Sequence, residues 1–422
     1  MTARETRKIA PKSAEFNLVR IVFLNPSGEL GGAEAVLLQV LASLQEARPS
    51  WSLHLVVASD GPLAGRARAC GVPATVLPFP ASLARLGEWG RRHGLANRAA
   101  LCRDLCRAVA PAVAYALRLR RLLRDLQPDV LHTNGLKMHV LGIWARPRRA
   151  AVLWHLHDYL GARPFTSRLL RRHVAHCDGI VANSHSVAGE LRALFGNLVH
   201  VYPVHNTVDL DRFSLEGPVL DLDALAGLPP VEPGTVKVGL VATFARWKGH
   251  ETFLKAFAKL PSALPVRGYI VGGPLYQTDR SQYSLEELRA RAEELGISTK
   301  VGFTGFVTEP ASAIRALDVV VHASTEPEPF GLVIAEAMAC GRPVIVSDAG
   351  GAVEIAAGGV NAVVHPPGDA DALADRIAQV VADLALRQRL GEAGRATAIE
   401  RFARPRLAAA LAPIYEALVS VN

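Results

Sequence analysis

Two glutamates eight residues apart, Glu328 and Glu336, frame the stretch of this 422-residue chain best suited to chemistry. Between them runs Pro329-Phe330-Gly331-Leu332-Val333, and a strand-like segment before them ends in Ala323-Ser324-Thr325. Glu328 therefore falls in a loop, Gly331 marks the turn, and a helix begins near Leu332. The first N–H groups of a helix have no carbonyl partner, so those of Leu332 and Val333 can cradle phosphate oxygens. A carboxylate beside a phosphate site binds hydroxyls rather than the anion. The pattern suits a sugar nucleotide, with one acid for the sugar and the other for the ribose. The helix dipole alone would also favour two glutamates near a helix start. That simpler account leaves the Pro-Phe-Gly turn between them without a reason.

Three other groups could carry chemistry. Gly28-Glu29-Leu30-Gly31-Gly32-Ala33-Glu34 follows the first strand-like run. Glycines there let a diphosphate approach the backbone, although a tight turn also needs glycine for its own geometry. The spacing is not the Gly-x-Gly-x-x-Gly of dinucleotide sites. Trp154-His155-Leu156-His157-Asp158 ends another strand, with His132 and Asn134 at the end of its neighbour. It is open to metal binding, to acid–base work or to capping the strand. No ligand set at zinc spacing accompanies it, so no metal is expected. Thr243-Phe244-Ala245-Arg246-Trp247-Lys248-Gly249 puts two cations in a strand-to-helix loop, where they either neutralise a diphosphate or are simply solvated.

Loops of this kind need strands that end at them. Apolar runs predict strands at Leu18–Leu24, Leu53–Ala58, Asp129–His132, Val152–His155, Gly179–Ala182 and Val199–Val204, with helices between most of them. A Pro/Gly-rich seam without periodicity spans Asp211 to Gly234. Alternation then restarts at Lys237–Ala242, Arg267–Val271, Val301–Thr304, Val319–His322, Val344–Ser347 and Ala362–His365. The expected architecture is α/β, with two Rossmann-like, doubly wound parallel-sheet domains. Ligands then sit in the crevice at the carboxyl ends of the strands. The expected divisions are residues 1–210, 211–404, and a final amphipathic helix within 405–422 that is free to cross back to the first domain.

Composition narrows the class. Half the residues are apolar and 20% are charged, which is globular and excludes a disordered or collagen-like chain. No charge-free apolar run approaches the ~18 residues of a membrane span. The N-terminus is charged from Arg4 to Glu15, so no secretory leader is expected. Five scattered cysteines suggest reduced thiols and a cytoplasmic protein, with Cys102 and Cys106 facing a core together. The net charge of +8 is concentrated: residues 81–173 hold 18 Lys and Arg against 5 Asp and Glu. Segments 117–126 and 163–173 mix arginine with leucine at helical spacing, as an anionic membrane surface or a lipid-linked acceptor would favour. Arginine stems covering a helix face would give the same pattern. Nucleic acid is not an expected partner, because no aromatic interleaving accompanies the charge.

Together the motifs resemble a retaining glycosyltransferase of the GT-B fold, specifically glycosyltransferase family 4. The likeness rests on Gly31 to Glu34, on Asn206-Thr207-Val208-Asp209, on Lys248-Gly249, and on Glu328 and Glu336 with Pro-Phe-Gly between. It implies transfer of a hexose from a UDP- or GDP-linked donor to a glycan or lipid-linked hydroxyl, with retained configuration and no bound metal or other cofactor. Carried onto this chain, it implies that Gly31 and Gly32 meet the donor diphosphate and that His157 bonds the transferred sugar. Lys248 with an arginine would offset leaving-group charge. Glu328 would hold sugar hydroxyls, and Phe330, Gly331, Leu332 and Val333 would line the phosphates. Glu336 would hold the ribose, and Phe306 the base. The family's arginine five residues before the lysine is Thr243 here; Arg246 is the candidate replacement. That departure keeps a catalytically silent membrane or assembly subunit as the alternative, alongside a sugar-nucleotide epimerase or a phosphorylase.

Overall fold

The computed structural model describes residues 18–85, 95–161, 163–274 and 281–421, except for the side chains of 84–108 and 421. Seven strands make the first sheet: β1 Arg20–Asn25, β2 Ser52–Val57, β3 Ala74–Val76, β4 Val130–Asn134, β5 Ala151–Leu156, β6 Gly179–Ala182 and β7 Val201–Pro203. Six make the second: β8 Val236–Val241, β9 Val266–Val271, β10 Val301–Gly305, β11 Val319–His322, β12 Val344–Ser347 and β13 Val363–His365. Pairing is parallel throughout both sheets, in the orders β3-β2-β1-β4-β5-β6-β7 and β10-β9-β8-β11-β12-β13. Each sheet is covered on both faces by its own pair of apolar clusters, so the inner strands are buried on both sides. This is why β5, β6, β11 and β12 read as nearly continuous apolar runs rather than as alternation.

In both sheets the chain winds outward from its first strand, then reverses and continues on the other side. The reversal falls between β1 and β4 in the first sheet and between β8 and β11 in the second. Adjacent loops diverge at such a point and leave a crevice beyond the strand ends. The loops there follow Asn25 and Asn134 in one half, and Val241 and His322 in the other.

Three features depart from the sequence expectation. β3 was not anticipated: three half-buried residues at a sheet edge are too short to set a pattern. β4 runs two residues further than expected, to Asn134. The seam between the halves contains a one-turn helix, Leu222–Ala226, capped by Asp221. Its Asp223 accepts hydrogen bonds from Lys237 Nζ (2.9 Å), Arg267 Nη1 (2.8 Å) and Tyr269 Oη (2.6 Å), which fastens the seam to β8 and β9. The expectations for Cys102, Cys106 and the N-terminal extension lie outside the described residues and side chains.

The final helix, Pro405–Val421, packs on the first sheet. Leu407, Leu411 and Tyr415 join the cluster of Ile21, Phe23 and Leu55. Ser43 Oγ donates to the Arg404 carbonyl (2.7 Å), fixing the point where the chain returns. No helix among the described residues is long and apolar enough to cross a membrane.

Candidate active site

In the second half, the loops at the reversal are joined to each other. Thr325 N–H donates to the Trp247 carbonyl (2.8 Å), and Gly249 sits at φ +79° against the end of β11. A Cβ at Gly249 would lie 1.8 Å from the Ala323 oxygen, so only glycine allows this approach. The joined loops bring Lys248 to Glu328, and its Nζ donates to both carboxylate oxygens at 2.8 Å. Ser324 Oγ (2.8 Å) and His322 Nε2 (3.2 Å) also bond Glu328 Oε2. Glu328 is 7% exposed. Burial alone would raise its pKa, but the Lys248 ammonium and the His322 bond outweigh this and hold it well below the usual carboxylate range. The result is a fixed anion–cation pair at the mouth of the crevice.

Beyond Glu328 the chain turns through Gly331, at φ +94° and ψ +55°, into the helix Leu332–Ala339. The left-handed conformation accounts for the glycine in Pro-Phe-Gly. It also aims the free first-turn N–H groups of Leu332 and Val333 out of the helix start. Leu332 packs against clusters of both halves, Leu30 lying at the same margin of the first, so this helix start adjoins the first half. One turn inside, Glu336 has its pKa pushed up to about 7 by burial, with Arg212 a smaller opposing influence. Phe306 follows β10 and is 68% exposed, with its backbone and Cβ beside Gly273.

The first half supplies the other wall. His157 follows β5, and its Nε2 bonds Asn134 Oδ1 at 3.3 Å. Its ring centroid lies 4.0 Å from that of His155, tilted by 34°, and its backbone carbonyl accepts from Asn183 Nδ2 (3.2 Å). Burial lowers its pKa to about 4, so the ring is neutral at pH 7. With Nε2–H donating to Asn134, Nδ1 is left as a buried acceptor without a partner. Gly31 and Gly32 open the helix Gly32–Ala47; Gly31 N–H donates to Glu34 Oε2 (3.1 Å), which in turn holds Asn25 through its other oxygen. Neither glycine has positive φ, but a Cβ at Gly31 would lie 2.9 Å from the capping Glu34 Oε2. A Cβ at Gly32 would meet nothing within 4 Å, which leaves open space against the backbone. The walls touch where Tyr159 Oη donates to the Glu328 carbonyl (3.4 Å).

The profile described as Glycosyltransferase Family 4 matches residues 30–212, and that described as Glycosyl transferases group 1 matches residues 230–397. The Anabaena protein HepE, solved in complex with UDP-glucose, superposes with a TM-score of 0.76 over 94% of this chain and 99% of its own, at 25% identity. The chain belongs to glycosyltransferase family 4. It is a glycosyltransferase with the GT-B fold. Among family relatives, the N-acetyl-alpha-D-glucosaminyl L-malate synthase of Bacillus anthracis is 25% identical over 312 residues, 72% of this chain and 78% of that one. The D-inositol 3-phosphate glycosyltransferase of Mycobacterium bovis is 30% identical over 341 residues, 77% of this chain and 66% of its own.

In this family-4 glycosyltransferase two of the expected donor-site side chains have protein partners of their own. Arg246 bonds Glu287 (2.9 Å) and lies 4.3 Å over the Tyr283 ring, so the described side chain does not join the Lys248–Glu328 pair. The reason is local: Arg246 opens a one-turn 3-10 helix, and Lys248, two residues on, leaves it in another direction. Thr243 is half-buried in the same loop. Phe330 is 2% exposed and packs edge-on to Phe402 at 5.8 Å, so its ring belongs to the core and only its backbone faces the turn. His322, Ser324, Tyr159 and Asn183 were missed as site residues. His322 was read as the end of an apolar strand, and Tyr159 is recruited by a tertiary contact that no local spacing records.

Proposed function

We propose that this glycosyltransferase moves a hexose from a nucleoside-diphosphate donor, UDP- or GDP-linked, to a hydroxyl of a glycan or lipid-linked acceptor, with retention of configuration. The observation that carries the reading is the Lys248–Glu328 pair beside a free helix start, joined through Tyr159 to the wall that bears His157, a neutral histidine with an unused acceptor nitrogen. The anomeric carbon exchanges its bond to the diphosphate oxygen for one to the acceptor oxygen, and the acceptor proton leaves with the diphosphate. Charge grows on that diphosphate. Lys248 and the N–H groups of Leu332 and Val333 are the groups that meet it, and Gly32 leaves room for it. With Arg246 engaged by Glu287, Lys248 carries the side-chain share of that task. His157 Nδ1 accepts from a sugar hydroxyl, Glu328 holds others, Glu336 takes the ribose and Phe306 stacks on the base. HepE in complex with UDP-glucose supports a UDP-linked donor.

The membrane side of the reading rests on one surface. Val109, Val113 and Leu117 are exposed one turn apart on the helix Leu95–Leu126, beside exposed Arg118 and Arg121. Trp144 is exposed on the helix packed against it, and Phe165 on the helix packed in turn on that one. An apolar stripe edged by arginine suits the surface of an anionic bilayer, where a lipid-linked acceptor would be presented.

A melting panel of UDP- and GDP-hexoses, with free nucleotides as controls, tests the donor. A donor at one hundred times its dissociation constant stabilises the fold by ~2.7 kcal/mol. The expected result is a selective rise with one donor, followed by a product whose anomeric proton coupling matches that donor. A cooperatively melting sample indifferent to every donor would sink the reading, and an inverted product would sink retention.

A further inference from the structure

Outside the crevice machinery, three side chains converge from the two halves. His185 opens the helix His185–Phe195, and His205 lies two residues past β7. Glu354 belongs to the short helix Ala352–Ile355 of the second half. Glu354 Oε2 lies 2.9 Å from the His185 N–H and 2.7 Å from His205 Nε2, while Oε1 accepts from the Ser186 N–H at 2.7 Å. The two imidazole rings stand 5.5 Å apart, edge to face. One ligand atom from each of the three residues lies within 4.8 Å of the others, a grouping that no other His, Cys, Asp or Glu set among the described residues attains.

We propose that His185, His205 and Glu354 form a zinc-binding site that bridges the two halves of the molecule. Metal bonds of ~2.0–2.1 Å in a tetrahedron place ligand atoms ~3.3 Å apart, a contraction that side-chain rotation supplies. Two imidazoles and one carboxylate are a zinc donor set with a fourth position open to water, whereas calcium and magnesium take oxygen ligands. The backbone N–H of Ser186 already orients the carboxylate, as the outer partners of metal ligands do. Zinc takes the place of the hydrogen bond between His205 Nε2 and Glu354 Oε2, and the imidazole then carries its hydrogen on Nδ1. Because the ligands come from both halves, occupancy ties the halves together and opposes their separation.

The test is a calorimetric titration of untagged, chelator-stripped full-length protein with Zn2+, repeated with Co2+, whose visible absorption reports four-coordinate nitrogen and oxygen ligation. Wild type should bind one equivalent, and His185→Ala and His205→Ala should each weaken binding about tenfold or more. Zn2+ should raise the wild-type melting temperature more than that of either variant. His185→Ala removes an exposed ring and keeps the backbone N–H on Glu354, so its fold is retained for the comparison. The absence of a saturable Zn2+ site in wild type overturns the proposal. So does Zn2+ binding by both variants that is as tight as wild type.

Discussion

Glu328 is buried, ionised and bound by Lys248, Ser324 and His322, so its charge is the centre of a network rather than a surface feature. Glu328→Gln keeps the shape and removes the charge that holds Lys248. Turnover is expected to fall by roughly 100-fold or more, the scale of losing one preorganised transition-state contact. Melting measured in parallel should remain cooperative; an unchanged turnover number would remove Glu328 from the mechanism. Glu336 makes a pH prediction. Its carboxyl ionises near 4.5 when unfolded and near 7 when folded. The folded state therefore holds the proton more tightly, and stability declines as pH rises from about 4.5 to about 7. With Glu336 in the proposed role at the ribose, donor binding runs the opposite way and should tighten as pH rises through about 7. Glu336→Gln should flatten both trends in melting and donor-affinity measurements between pH 5 and 8. The two glutamates were legible from their spacing. Their opposite protonation behaviour was not, because it depends on which of them the fold places next to a lysine.

At the scale of elements, the two glycine-bearing helix starts do different work. Gly331 holds a left-handed conformation, and a Cβ there would meet Ile334 Cδ1 at 2.7 Å. Gly331→Ala should cost about 1–2 kcal/mol in stability from backbone conformation alone, and should weaken donor binding by re-aiming the helix start. Gly32 has ordinary backbone angles and open space where a side chain would go. Gly32→Ala should leave the melting temperature unchanged or slightly higher, since alanine is the better helix former by ~0.5–1 kcal/mol. Yet it should weaken donor binding by placing a methyl in the space the proposed function assigns to the diphosphate. Equal loss of stability in both variants would contradict this separation of roles. Strand positions were readable because burial on both faces selects continuous apolar residues. β3 and the helix Leu222–Ala226 were not, because three half-buried edge residues and a single turn inside a Pro/Gly-rich seam are too short to set a pattern.

For the molecule as a whole, the basic excess of residues 81–173 becomes meaningful only when the fold assigns it to a surface. Leu119 and Leu123 turn into the core, while Val113, Leu117, Arg118 and Arg121 face outward on the same helix. Three or four such arginines near an anionic bilayer contribute ~1 kcal/mol each. The protein should therefore sediment with vesicles containing phosphatidylglycerol and not with neutral ones. Salt should weaken that binding, and so should the double change Val113→Asp with Leu117→Asp. Equal sedimentation with both vesicle types, or none with either, would refute the membrane side of the proposal. Donor affinity in solution should be the same for the double variant and wild type.

The sequence alone determined the architecture, because strand–helix alternation with inner strands buried on both faces admits little besides parallel, doubly wound sheets. It also marked the loops that carry chemistry, since glycine, paired acids and loop cations are constrained locally. Tertiary structure decided which of those residues meet. Gly249 lets the Lys248 loop close on the end of β11, so Lys248 reaches Glu328, while Arg246 two residues earlier pairs with Glu287. Tyr415 of the final helix reaches His132 at 2.7 Å across 283 residues of chain. Such pairings depend on where whole sheets and helices come to rest, and that is settled by packing rather than by spacing along the chain.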